Sequence, residues 1–69
     1  MMEKTRIMKR LEVQATTGLS RSGIYALIDK GSFPSQIKLG PRSVGWVESE
    51  IQAWLHNRIA ESRGGMSHA

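Results

Sequence analysis

The sequence predicts a mainly α domain with a small β-hairpin: three helices plus two short strands. Apolar residues recur at helical spacing in three separate segments, around residues 11–19, 24–28 and 47–59. Gly18 and Gly31 close the first two of these segments. Between the second and the third, Pro34, Gly40 and Pro41 bracket a stretch in which polar and apolar residues alternate.

Each element follows from its residues. Residues 1–6 have no sustained period and are expected to form a flexible arm, with order beginning near Ile7 and Met8. Leu11, Val13 and Ala15, with Leu19 beyond a Thr-Thr-Gly break, predict a helix of about two turns that ends at Gly18. Ser20 is then placed to accept a hydrogen bond from a free amide in the first turn of a second helix. In that helix Ile24, Leu27 and Ile28 form an inward stripe, while Arg21, Ser22, Tyr25 and Asp29 project elsewhere; Gly31 stops it. Pro34 pushes Phe33 out of helical geometry, so the chain leaves extended.

Gln36-Ile37-Lys38-Leu39 reads as a strand with Ile37 and Leu39 on its buried face and Lys38 outside. Gly40-Pro41-Arg42-Ser43 supplies a turn and Val44-Gly45-Trp46 a returning strand, so Arg42 lies near the tip of a hairpin sized for a wing. Val47, Ile51, Trp54, Leu55 and Ile59 predict a third helix from about Glu48 to Ala60. Ser49 and Gln52 are spaced as a capping box, with Glu48 and Glu50 at the positive end of the dipole. Residues 7–61 thus make one domain, and residues 62–69, without an apolar period, are expected to be a disordered tail.

Composition narrows the function. A chain of 69 residues buries only about 60% of the surface that its unfolded form exposes, too little for a deep catalytic cavity. There is no cysteine, and His56 and His68 have no supporting ligand cluster, so neither metal nor cofactor is expected. Glu48 and Glu50 lack a pocket or nucleophile that would make them a catalytic pair. No apolar run approaches the roughly 18 residues that cross a bilayer, which predicts a cytoplasmic protein without a membrane partner. Ten Lys and Arg against six Asp and Glu give a formal charge of +4, which favours a polyanion over a small-molecule substrate.

Two helices joined by a tight glycine-containing turn form a helix-turn-helix, whose second helix can enter the major groove of DNA with its N-terminal residues against base edges. The segment Thr17-Gly18-Leu19-Ser20-Arg21-Ser22 has the polar, cationic, compact leading face that this requires. Free amides and the positive dipole end attract phosphate, and Arg21 can take a phosphate or a guanine edge. Ser20, Ser22 and Tyr25 offer hydroxyls along the same side, Lys30 lies farther along toward the backbone, and Lys38, Arg42 and Ser43 belong to the wing. Trp46 and Trp54 could stack on bases, but their spacing with Val44, Val47, Ile51 and Leu55 marks them as core anchors.

Glu12-Val13, Thr17 to Ser22, Ile24-Tyr25, Ile28, Gly31, Phe33-Pro34, Lys38-Leu39-Gly40, Arg42-Ser43, Trp46, Glu50 and Trp54-Leu55 together resemble the AlpA family of phage-type transcriptional regulators. These are small relatives of MerR-type winged helix-turn-helix domains and of phage excisionases, and the likeness spans about residues 6–58. It implies a regulator of prophage or mobile-element genes that binds double-stranded DNA, with the helix around Arg21 to Tyr25 in the major groove and the wing around Arg42 on the backbone or minor groove. Three positions depart from the family's usual pattern: Gly23 replaces Thr, Ala26 replaces Arg, and Gln14 stands where a small residue often packs. Two alternatives remain open, an excisionase-like architectural factor for recombination and a protein-interaction module with an acidic partner. One small module presents few base contacts, so dimeric or tandem binding is expected.

Overall fold

A computed structural model describes residues 5–67. Its elements run β1 (Ile7–Lys9), α1 (Arg10–Thr17), α2 (Arg21–Asp29), β2 (Ile37–Gly40), β3 (Ser43–Val47) and α3 (Glu48–Ser67). The helices and the β2–β3 wing match the expected winged helix-turn-helix, and the hairpin gains a third strand. β1 pairs antiparallel with β3, giving the strand order β1-β3-β2. Met8 faces Trp46 and Lys9 faces Gly45 across that pairing. The first four residues of the expected arm lie outside the described residues. Of the remainder, Arg6 accepts a hydrogen bond from the Glu48 amide at 2.8 Å, which prolongs the β1–β3 ladder to the start of α3.

The core is small: Met8, Val13, Ile24, Trp46 and Ile51, one residue from each element except β2, together with Phe33 from the loop between α2 and β2. Each such side chain contributes about 1.5–3 kcal/mol on leaving water. Leu19, Tyr25, Leu27, Ile28, Val44, Trp54 and Leu55 pack around them. The two indoles tie down the loop between α2 and β2. Trp46 Nε1 donates to the Pro34 carbonyl at 3.0 Å, and Trp54 Nε1 donates to the Ser32 carbonyl at 2.8 Å. Phe33 meets Trp54 edge-on with centroids 4.8 Å apart. Trp46 is therefore a core residue, whereas Trp54 is a half-buried anchor on the rim.

Several expectations are corrected. Leu11 does not join the core: it is 71% exposed, Ala15 is exposed too, and α1 buries only Val13. In β2 the faces are reversed. Lys38 pairs with Val44 and so shares the face of Trp46, while Ile37 pairs with Gly45 on the opposite side of the sheet. Ile37 and Leu39 stand 38% and 44% exposed on that outer face, and a bulge interrupts the register between Lys38 and Gly40. α3 begins at Glu48, which places Ser49 inside its first turn rather than at a cap. It also runs to Ser67 rather than ending near Ala60, through residues 62–67 where a disordered tail is expected. His68 and Ala69, the rest of that tail, lie outside the described residues. From His56 to Arg63 every side chain is exposed, so this half of α3 projects beyond the core and leaves Ile59 in solvent. Among the described residues, no helix is long and apolar enough to cross a membrane.

Candidate nucleic-acid interface

The turn between α1 and α2 is built locally. Gly18 adopts φ 78°, a left-handed conformation that a Cβ disfavours, and its amide donates to Gln14 O at 2.8 Å. Thr17 braces the corner from the side. Its hydroxyl donates to Val13 O at 2.8 Å and accepts from the Leu19 amide at 3.2 Å. Ser20 then caps α2 by accepting the Gly23 amide at 3.0 Å, as its position predicts. At the other end Gly31, with φ 77°, terminates α2 through two bonds, from its own amide to Ile28 O and from Ser32 to Leu27 O. That pairing is the Schellman arrangement.

α2 therefore starts at a defined point, and what it displays there is polar and cationic. Arg21 and Ser22 are exposed, and the first turn holds no acidic residue, in contrast to Glu12 on α1 and Glu48 and Glu50 on α3. The Ser20 hydroxyl oxygen accepts as the cap and shares a 3.5 Å hydrogen bond with the Ser22 hydroxyl, so one of the two hydroxyl protons is left to donate outward. Tyr25 has two neighbours. The Arg21 guanidinium sits 6.0 Å from its ring centroid, and its edge meets Trp46 at 6.4 Å. Half-buried, it links the exposed start of α2 to the core.

The other candidates are more scattered. Lys30 forms the C-terminal cap of α2, at the opposite end of the helix from Arg21. Lys38 lies on the edge strand and is exposed. Arg42 occupies the exposed wing turn, and Ser43, half-buried, opens β3. Arg42 and Ser43 share an open concavity of about 230 Å³ with Lys9, Arg10, Leu11 and Val44. The pairing of β1 with β3 creates this neighbourhood, because it delivers the start of α1 to the root of the wing. Lys9, Arg10 and Leu11 were not among the candidates read from sequence. Their adjacent positive charges were visible there, but the strand pairing that brings them to Arg42 was not.

The family model described as prophage CP4-57 regulatory protein (AlpA) matches residues 6–59. The uncharacterized protein ORF88 of Enterobacteria phage P4 is 48% identical over 60 residues, covering 87% of this chain and 68% of its own length. The DNA-binding transcriptional activator AlpA of Escherichia coli K12 is 39% identical over 59 residues, covering 77% of this chain and 84% of its own length. No solved structure matches the chain. The family match takes in the turn, the cap, the wing and the first half of α3, so this chain belongs to the AlpA family of prophage regulatory proteins.

Proposed function

We propose that the protein is a sequence-specific, DNA-binding transcriptional regulator of prophage or mobile-element genes, acting in the bacterial cytoplasm on the nucleoid and without chemistry of its own. One observation carries the reading. The Ser20-capped start of α2 presents Arg21 and Ser22 to solvent with no carboxylate in the first turn. A cation there opposes the helix dipole unless an anion is brought to it. The description of the E. coli relative as a DNA-binding transcriptional activator supports the same reading.

In this reading α2 enters the major groove. Arg21 takes a guanine edge or phosphate, the Ser20 and Ser22 hydroxyl pair donates its free proton to a phosphate oxygen, and Tyr25 contributes its hydroxyl while stacking under Arg21. Lys30 and Lys38 serve the backbone from either side, and Arg42 and Ser43 place the wing on the backbone or in the minor groove. Two copies, as a homodimer or in tandem, occupy repeated half-sites, since one module of this size buries too little surface for a specific complex.

Footprinting on genomic fragments identifies the operator, and mobility shifts on that operator and on a scrambled duplex then separate the roles. Arg21→Ala loses discrimination between the two, whereas Arg42→Ala weakens both alike. If neither change occurs, both assignments are wrong. A salt titration tests duplex binding itself, because each phosphate neutralised steepens the log-log slope by about 0.9. A flat response on every duplex would favour a protein partner instead.

A further inference from the structure

We infer that the junction of β1, α1 and the wing forms a second, sequence-independent grip on duplex DNA, a cradle for the sugar-phosphate backbone built from Lys9, Arg10, Leu11, Arg42 and Ser43. The inference rests on the duplex-binding reading and adds Lys9, Arg10 and Leu11 to it. Three cations from β1, α1 and the wing turn line one open concavity. Among the described residues none of the three side-chain cations pairs with a carboxylate: Glu12 accepts from the Lys9 backbone amide at 3.4 Å, and the ion pair found there joins Arg6 to Glu48 at 3.6 Å. Arg10 donates through Nε to Gln14 Oε1 at 3.3 Å, a neutral contact that orients the guanidinium without neutralising it. Unpaired like charges gathered at one place repel each other in the free protein, and an anion in the concavity relieves that repulsion.

Leu11 sharpens the identity of the anion. Among the described residues it is the most exposed of the large apolar side chains, and it lines the same concavity. Among the described residues nothing covers it. A free inorganic phosphate has no surface that would, whereas in a nucleic-acid backbone each phosphate is flanked by the apolar face of a deoxyribose. The cations thus take the phosphate oxygens, the Ser43 hydroxyl adds a neutral donor, and Leu11 lies against the sugar. Because Arg42 belongs to both surfaces, the cradle is continuous with the wing contact and fixes how the domain is tilted on the duplex.

Salt-dependent binding to a random-sequence duplex, which reads backbone contacts alone, tests the cradle. The double variant Lys9→Gln/Arg10→Gln is expected to lower the magnitude of the log-log slope by about 1–2, one phosphate contact per cation lost. The charge-preserving Lys9→Arg/Arg10→Lys keeps the parent slope. Arg58→Gln/Arg63→Gln, with the same change in net charge but on the projecting half of α3, serves as the control. An equal loss in that control attributes the effect to bulk charge and overturns the proposal. Leu11→Ala is expected to weaken binding about five- to tenfold with the slope unchanged, since apolar contact releases no counterions; an unaltered affinity removes Leu11 from the site. All variants are compared at equal thermal stability, measured by circular dichroism. If the parent protein itself shows no salt-dependent duplex binding, the duplex-binding reading fails and the cradle with it. A steep parent slope retained by the Gln double variant sinks the cradle alone.

Discussion

Replacing Gly45 with alanine probes the packing that holds β1, the wing and the start of α1 in one unit. A Cβ built at Gly45 would lie 2.5 Å from Ile7 Cγ2, 3.0 Å from Leu39 Cδ1 and 3.2 Å from the Met8 carbonyl oxygen. Ordinary contacts there begin about 1 Å farther out than the shortest of these, so the Ile7 side chain must move, and the carbonyl belongs to the backbone of the neighbouring strand, which must give by a few tenths of an ångström. Overpacking of this kind costs about 1–3 kcal/mol. Against that, alanine lowers the entropy of the unfolded chain, worth about 0.4–1 kcal/mol. The net is a loss of about 1–2 kcal/mol, and in a domain of this size that lowers the melting temperature by roughly 5–15 °C. Thermal unfolding followed by circular dichroism measures it. The same substitution in an Ile7→Ala background loses its tightest contact, so the penalty there should shrink by about 1 kcal/mol. A Gly45→Ala protein that melts at or above the parent temperature, or a penalty identical in both backgrounds, would refute the account.

Ser20→Ala removes the acceptor for the Gly23 amide and should cost about 1 kcal/mol, read as a lower urea midpoint at unchanged m-value. Gly23→Ala should gain less than the roughly 0.5–1 kcal/mol of helix propensity that alanine usually brings, because the Cβ meets at 3.2 Å the same Ser20 Oγ that caps the Gly23 amide; a gain of the full amount in thermal unfolding would show that the cap yields without loss. Trp46→Phe strands the Pro34 carbonyl and opens space in the core, so its loss should reach about 2–4 kcal/mol in denaturant titration. Trp54→Phe, at the rim, should cost about 1 kcal/mol, since water can replace the indole at the Ser32 carbonyl. Equal penalties for the two indoles would mean that their burial has been misjudged.

The parts of the fold legible in the sequence are those governed by contacts a few residues apart. Gly18, Ser20 and Gly31 act within one helical turn, and each does what its chemistry implies. β1 was not legible, because three residues carry too little alternation and its partner lies forty positions away, Ile7 against Val47. The reversal of β2 has a related cause. Alternation shows which residues share a face but not which face meets the core, and Trp46 on β3 decided that by filling the core side, leaving Ile37 and Leu39 to flank Gly45. Leu11 kept the helical spacing yet stayed in solvent because α1 offers one buried position to a core this small. In the candidate site, the leading face of α2 was readable residue by residue, whereas the company kept by Arg42 depends on the same long-range pairing that hid β1.

The aromatic contacts have a practical consequence. Arg21 lies over Tyr25, and Tyr25 abuts Trp46, so the surface reached by Arg21 is one ring removed from an indole wholly shielded from water. Tyr25 is the chain's sole tyrosine and a close donor of excitation energy to that indole, so a ligand that takes Arg21 and shifts the tyrosine ring is read in the emission without an attached dye. Trp54, with the Arg58 guanidinium 4.9 Å from its ring centre and Phe33 edge-on to it, emits in the same band, so a Trp54→Phe background isolates the signal of Trp46.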